Sequence, residues 1–282
     1  MQLKEIKQIF HRELEGMYPS EEINSFFYIL IEHYLNLERF VLALQPNITI
    51  TKDEEQPLFE ALSSLILNKP IQHIIGTAHF MDLDFDVNEH VLIPRPETEE
   101  LVHWILKDFE NNEESLRILD MGTGSGCIPI SLGKNLKNAN IHALDISKEA
   151  LKVAKKNAEL HQVEVQFIEA DMLVNPNIEL EFDLVVSNPP YVRNLEKKEM
   201  HGNVLNHEPH LALFVSDDDP LIFYRNIVLF CERHLKMSGC LYLEINQYLG
   251  KEMVALLQEH NFSEIELRKD MFGNDRMVKA VK

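Results

Sequence analysis

Val186-Ser187-Asn188-Pro189-Pro190-Tyr191 is the stretch on which the reading of this chain turns. Phe182, Leu184 and Val186 alternate with Asp183, Val185 and Ser187, a short apolar run that predicts a strand buried on both faces. Pro189 and Pro190 then end it, because neither has an N–H for the sheet ladder and each fixes φ. The product is a stiff loop at the carboxyl end of a strand, where open α/β sheets bind ligands. Asn188 brings a carbonyl oxygen and an NH₂, and Pro189 leaves its own carbonyl free to accept. Tyr191 adds a flat aromatic wall. Such a corner suits a planar group bearing an –NH₂, with two acceptors for its two N–H bonds and a ring to hold its plane.

Toward the N-terminus lies Asp120-Met121-Gly122-Thr123-Gly124-Ser125-Gly126, after a predicted strand at 117–120 and before a helix. Glycines let this backbone turn sharply and approach a ligand closely. Asp145 ends the next predicted strand, 141–145, where a carboxylate can accept both hydroxyls of a ribose. Together these point to an adenosine-containing cofactor. The dinucleotide fingerprint is G-x-G-x-x-G facing a pyrophosphate, and here the third glycine comes one residue early. S-adenosylmethionine carries no phosphate and bears a sulfonium cation, so a loop flanked by Asp120 suits it better. Asp171 and Met172 follow the strand predicted at 165–169, where the edge and face of adenine belong; a plain loop acid is the other reading of Asp171.

The rest of the chain fits one large domain and a small one, at 282 residues and about 150 per domain. Among the first seventy residues, Leu3, Ile6, Ile9, Phe10 and Leu14 recur at helical spacing. A second helix runs through Ile23, Phe26, Phe27, Leu30 and Tyr34, with Ser20 placed to cap it. A third is expected over 36–44. A fourth, through Leu58, Ala61, Leu62, Leu65 and Ile66, ends by Lys69-Pro70. Phe80, Leu83, Phe85 and Val87 suggest a hairpin, and Pro96 with Glu97, Glu99 and Glu100 opens a helix. Arg95 stands between two prolines, which hold its charge in place. Further strands at 182–187, 240–245, 264–268 and 277–280, with helices at 148–160, 221–235 and 250–260, complete an α/β pattern with a mostly parallel, seven-stranded sheet. The expected domains are 1–75 (helical bundle), 76–95 (β-hairpin linker) and 96–282 (Rossmann-like).

Composition narrows the partners. Twenty-seven Lys and Arg face 46 Asp and Glu, a net charge of −19, whereas a nucleic-acid binder needs cations to displace phosphate counterions. Nucleic acid is therefore disfavoured. Cys127, Cys231 and Cys240 show neither metal-ligand spacing nor a disulfide framework, which fits a reducing cytoplasm. The N-terminus does not read as a signal peptide, and no apolar run is long enough to span a bilayer. No metal site is expected: Asp217, Asp218 and Asp219 read as the acidic start of a helix beginning at Pro220, with Asp219 as its cap.

Asn188-Pro189-Pro190-Tyr191 resembles the signature of methyltransferases that modify planar nitrogens with S-adenosyl-L-methionine. Over nearly its full length the chain resembles the protein-glutamine N5-methyltransferases acting on class I peptide chain release factors. The motifs carrying this are Pro70-Ile71-Gln72-His73-Ile74-Ile75-Gly76, Leu92-Ile93-Pro94-Arg95-Pro96-Glu97-Thr98-Glu99, the glycine loop, Ser187 to Tyr191, and Glu208-Pro209. The resemblance implies that Asn188, Pro189 and Tyr191 are catalytic. It implies that Asp120, Gly122, Thr123, Gly124, Ser125, Gly126, Asp145, Ile146, Asp171, Met172 and Asn188 bind the cofactor. Asn188, Pro189, Pro190, Tyr191 and Arg95 would bind the glutamine, and the helical domain would recognise the release factor. A cytoplasmic monomer is expected.

Met121 replaces a usual Leu, and Met172 stands where an aromatic often faces adenine. Glu244-Ile245-Asn246 replaces a usual Glu-Ile-Gly, and the loop Asp217-Asp218-Asp219-Pro220 lacks the family's glycine, which bears on substrate geometry. The competing readings are an N6-adenine or N2-guanine nucleic-acid methyltransferase, a ribosomal-protein glutamine methyltransferase, and a silent cofactor-binding module.

Overall fold

The computed structural model describes residues 1–174, 176, 178–199 and 202–282. Helices α1 (Leu3–Leu14), α2 (Ser20–Leu35), α3 (Val41–Leu44), α4 (Lys52–Ile66) and α5 (Ile71–Ile75) come first. The hairpin β1 (Thr77–Phe80) and β2 (Leu83–Asp86) follows, then α6 (Pro96–Asp108). Strand and helix alternate through β3 (Leu116–Met121), α7 (Cys127–Asn135), β4 (Ala139–Asp145), α8 (Lys148–His161), β5 (Val165–Glu169) and β6 (Phe182–Ser187). A less regular stretch holds β7 (Val192–Arg193), α9 (Gly202–His207), α10 (His210–Leu213) and β8 (Phe214–Val215). The last elements are α11 (Ile222–His234), β9 (Leu235–Glu244), α12 (Gly250–Glu259), β10 (Ser263–Lys269) and β11 (Asp275–Val281).

Two compact units result. The first is Met1–Gly76 together with α9, whose His207 Nε2 lies 2.9 Å from the Leu67 carbonyl oxygen. Its core follows the apolar stripes read from the sequence, with Leu3, Ile6, Phe10 and Leu14 of α1, Ile23, Phe26, Phe27 and Leu30 of α2, and Leu58, Ala61, Leu62 and Leu65 of α4 buried. Ile31 joins them unforeseen, Ile9 and Tyr34 are only partly buried, and Ile66 is exposed because α4 ends there. Phe10 and Phe27 meet edge to face at 5.6 Å. Burying each large side chain here contributes about 1.5–3 kcal/mol. Two local expectations fail. Ser20 makes no cap, because the helix already includes it and Pro19 stands at the cap position. Asn36 adopts a left-handed φ of 53° and closes α2, so the third helix shrinks to the single turn Val41–Leu44. Helix α4 is capped by a reciprocal box between Thr51 and Glu54.

The second unit spans the remaining chain and contains the hairpin. Met81 and Asp82, both at positive φ (51° and 58°), make the two-residue turn between β1 and β2. Among the described residues a seven-stranded sheet runs in the order β10-β11-β9-β6-β3-β4-β5. The pairs β9–β6, β6–β3, β3–β4 and β4–β5 are parallel, while β11 is antiparallel to both β9 and β10. Leu184 and Val186 pack with α6 and α7 on one face, and Val185 packs with α11 and α12 on the other, so β6 is buried on both sides. The strand order reverses at β3 and β6, whose carboxyl ends lie side by side. That switch point is where a doubly wound sheet opens a crevice.

One helix start also departs from expectation. Helix α11 begins at Ile222, two residues beyond Pro220, and Asp219 pairs through its carboxylate with Arg225 at 2.9 Å.

Candidate active site

The crevice at the switch point holds a cavity of about 250 Å³ within the second unit. Its walls include Arg95, Thr98, Gly122, Thr123, Gly124, Ser125, Asp145, Ile146, Asp171, Met172, Asn188 and Pro190. Four of the residues singled out in the sequence do not line it: Asp120, Gly126, Pro189 and Tyr191.

The glycine loop is built by backbone. Gly122, Gly124 and Gly126 have φ of 82°, 54° and 81°, a region in which a Cβ is strained. A Cβ on Gly122 would also come within 3.0 Å of Met172 Cε. The N–H groups of Gly122 and Thr123 both donate to the Leu144 carbonyl, at 2.8 and 3.0 Å, which fastens the loop to β4. Asp145 receives the Gly124 N–H on Oδ2 at 2.9 Å and the Ser147 N–H on Oδ1 at 2.8 Å. A carboxylate has about four acceptor positions, so each oxygen keeps capacity toward the cavity. Burial pushes the Asp145 carboxyl up, and the backbone N–H groups of Ser147, Gly124 and Ile146 oppose the shift.

Asp120 sits near the end of β3, fully buried, where the nearby Thr123 hydroxyl favours its ionised form. Burial, with the charge of Asp145 adding to it, pushes its carboxyl up to about 7. Asp171 closes its own turn by accepting the Leu173 N–H at 2.8 Å, and Met172 enters the cavity wall from the short 3-10 turn Met172–Val174.

The other half of the site is a chain of side chains. Asn188 Nδ2 donates to Thr98 Oγ1 at 3.1 Å, and Thr98 Oγ1 donates to Glu244 Oε2 at 2.6 Å. On the other oxygen, Tyr191 Oη donates to Glu244 Oε1 at 2.8 Å. Glu244 is 1% exposed. Arg276 lies 3.4 Å from Tyr191 Oη and pairs with Asp270 at 3.1 Å. Arg95 donates to Glu208 at 2.5 Å, and Glu208 also accepts the Ile93 N–H, so a buried carboxylate meets the Arg95 charge at the cavity rim. The rigid prolines on each side of Arg95 fit that fixed pairing.

The release factor glutamine methyltransferase of Flavobacterium psychrophilum is 51% identical over 282 residues, covering 99% of each chain. This chain belongs to the release factor glutamine methyltransferase family. The enzyme of the same name from Bacteroides thetaiotaomicron is 40% identical over 279 residues, again covering 99% of each. The family profile described as the PrmC N-terminal domain matches residues 8–76, and that of the Methyltransferase small domain matches 101–211. Among solved structures, a methyltransferase from Pyrococcus furiosus superposes with a TM-score of 0.51 at 16% identity, covering 82% of this chain and 99% of its own, and so shares the fold.

For a methyltransferase of this family, sequence reading found the motif loops and missed their scaffold. Thr98 stands inside the Leu92–Glu99 block, yet nothing local marked it as a partner of Asn188. Glu244, an acid ending an otherwise apolar strand, was the one signal available, because a carboxylate in such a place needs partners.

Proposed function

We propose that this methyltransferase transfers the methyl group of S-adenosyl-L-methionine to the side-chain amide N5 of the glutamine in the Gly-Gly-Gln motif of class I peptide chain release factors. The names of the full-length relatives support the substrate. The observation that carries the chemistry is the hydrogen bond from Asn188 Nδ2 to Thr98. It commits the nitrogen end of the Asn188 amide to the protein, and the oxygen end is left for an N–H of the incoming amide.

The residues present fit the cofactor. The cavity of about 250 Å³ joins a loop with Gly122 and Gly124 in its wall to a carboxylate, Asp145, that retains acceptor capacity for ribose hydroxyls. Met172 offers a thioether and methylenes to a flat base, and Asp171 lies beside it. Thr123, Ser125 and Ile146 complete that wall. Asp120 and Gly126 support it, Asp120 as a buried carboxyl whose ionised form suits a cationic ligand and Gly126 as the turn into α7. When bound, S-adenosyl-L-methionine supplies an electrophilic methyl on a sulfonium.

An amide nitrogen is a poor nucleophile because its lone pair is delocalised into the carbonyl. The Asn188 side-chain oxygen and the Pro189 backbone carbonyl accept its two N–H bonds, favour lone-pair character and aim the nitrogen. Both acceptors strengthen as positive charge grows on that nitrogen, which stabilises the transition state. Pro190 and the Tyr191 ring hold the amide plane, with the Tyr191 hydroxyl anchored on Glu244. Arg95, already paired with Glu208, braces the rim against which the Gly-Gly-Gln tip rests. One N–H proton leaves after transfer, so no strong base is needed; orientation carries most of the rate.

The helical unit is the docking surface for the release factor, since a single glutamine side chain cannot identify one protein among many. The enzyme acts as a cytoplasmic monomer on factors of translation. Among the described residues no helix is long and apolar enough to cross a membrane. The net charge of −19 opposes a nucleic-acid substrate. Methyl-labelled cofactor incubated separately with a class I release factor, with ribosomal protein and with nucleic acid tests this. Label is expected on the release factor alone and lost when the motif glutamine is replaced. Label on nucleic acid or ribosomal protein instead would overturn the assignment.

A further inference from the structure

We propose that Glu244, acting through Thr98, is a positioning device that fixes which end of the Asn188 amide faces the substrate. This deepens the function proposed above and rests on its reading of Asn188 as an acceptor.

An asparagine amide is nearly symmetric in shape, and its two orientations present opposite chemistry. With the oxygen outward, Asn188 accepts an N–H of the substrate amide. With the nitrogen outward, it offers a donor to a donor and repels it. Packing alone discriminates weakly between an oxygen and an NH₂ of similar size. Something must set the polarity.

The chain Asn188–Thr98–Glu244 does so. A hydroxyl both donates and accepts, so it relays direction without creating it; a carboxylate only accepts. Glu244 is buried, and its two oxygens take one hydroxyl each: Thr98 at 2.6 Å and Tyr191 at 2.8 Å. The Thr98 proton is thereby committed to Glu244, and the Thr98 oxygen is left to accept. Only the NH₂ of Asn188 can satisfy that oxygen, at 3.1 Å, and the Asn188 oxygen turns outward. Were Glu244 neutral and donating to Thr98, the Thr98 hydroxyl would point at Asn188 and turn the amide over. Burial does raise the Glu244 carboxyl, but both hydroxyls and the Arg276 guanidinium oppose the shift, with Glu97 adding to it. The same carboxylate holds the Tyr191 hydroxyl, so one buried charge orders both ends of the motif.

The test combines Thr98→Val, Thr98→Ser and Glu244→Gln with Asn188→Ala as reference, each checked for folding by its thermal midpoint. Thr98→Val keeps the shape and removes the relay. It is expected to lower kcat on release factor about 10-fold or more, the scale of one hydrogen bond near 1.4 kcal/mol. Cofactor affinity should stay within about 2-fold. Thr98→Ser restores the hydroxyl and should recover most of the loss. Glu244→Gln weakens the directing charge, and in the double variant with Thr98→Val the losses should fall well short of their product, because Glu244 reaches Asn188 only through Thr98. Independently of turnover, the Asn188 side-chain NH₂ in ¹⁵N-asparagine-labelled enzyme should exchange slowly with solvent in the parent and faster in Thr98→Val. Multiplying losses, or an Asn188 NH₂ equally protected without the Thr98 hydroxyl, would overturn the relay. If Asn188→Ala itself keeps parental turnover, the proposed function fails; if Asn188→Ala is inactive while Thr98→Val and Glu244→Gln are not, only the relay does.

Discussion

The Ser187 hydroxyl donates to the Met121 carbonyl at 2.5 Å, joining the carboxyl ends of β6 and β3 inside the protein. Met121 leads into the glycine loop and Ser187 into Asn188, so this bond sets the spacing between the two halves of the cavity. Ser187 is fully buried. Ser187→Ala therefore leaves a buried carbonyl with one partner fewer and should cost about 1–2 kcal/mol of stability. Because the halves then shift independently, kcat should fall more than the affinity for either ligand alone. Urea unfolding and steady-state kinetics measure the two effects; a variant with parental kcat would show that the sheet alone sets the spacing.

Asp145 offers the next prediction. Its two oxygens are positioned by the Gly124 and Ser147 N–H groups, which survive truncation of the side chain but lose their acceptor. Asp145→Ala should weaken S-adenosyl-L-methionine by roughly 1.5–3 kcal/mol, the range for hydrogen bonds to a charged group. Titration calorimetry reads this directly. Unchanged affinity would place the ribose away from β4.

Asp120 predicts a pH dependence of folding. Its carboxyl is raised to about 7 in the folded protein, while in the unfolded chain it ionises near pH 4. Between those values the folded state still holds a proton that the unfolded state has lost. Stability contributed at low pH is thus lost as pH rises from about 4 to about 7, by up to about 4 kcal/mol across that window. Asp145 and Glu244, raised in the same direction, steepen the slope. Asp120→Asn removes the titration, so the cofactor-free variant should gain on the parent progressively from about pH 4 to 7. Parallel stability curves would mean that the buried carboxyl ionises without cost.

Asn246 is 3% exposed and gives both amide protons to the site's surroundings, to the Tyr191 carbonyl and to Glu196 Oε2, each at 2.9 Å. Glu196 in turn holds Arg193. The side chain thus laces the end of the Pro189-Pro190 loop to the segment that follows it. Asn246→Gly, the residue usual in the family, should lose about 2 kcal/mol from two hydrogen bonds and added backbone freedom. KM for the release factor should rise while cofactor affinity holds. A loss of only a few tenths of a kcal/mol would mean that water replaces the lace fully.

Local patterns carried the architecture of this protein. Strand β6 begins and ends at Phe182 and Ser187 as its apolar alternation and prolines predict, because burial on both faces and a missing N–H are properties of adjacent residues. The glycine loop and Asp145 were legible for the same reason: a run of glycines marks a backbone that turns through positive φ, and a strand end needs no distant partner to be recognised. Where a local cue had a local competitor, reading failed. Asn36 favours a left-handed turn as readily as a helix, and Asp219 met Arg225 before it met a helix end.

What only the tertiary structure decided is the direction of the hydrogen bonds in the site. Asn188 lies 90 residues from Thr98, and Thr98 lies 146 residues from Glu244. A sequence states that an asparagine has a donor and an acceptor; it does not state which is spent. That depends on a carboxylate brought by β9 and a hydroxyl brought by α6 meeting beside the end of β6. Strand pairing and helix packing over long loops fix such meetings, and no spacing along the chain records them.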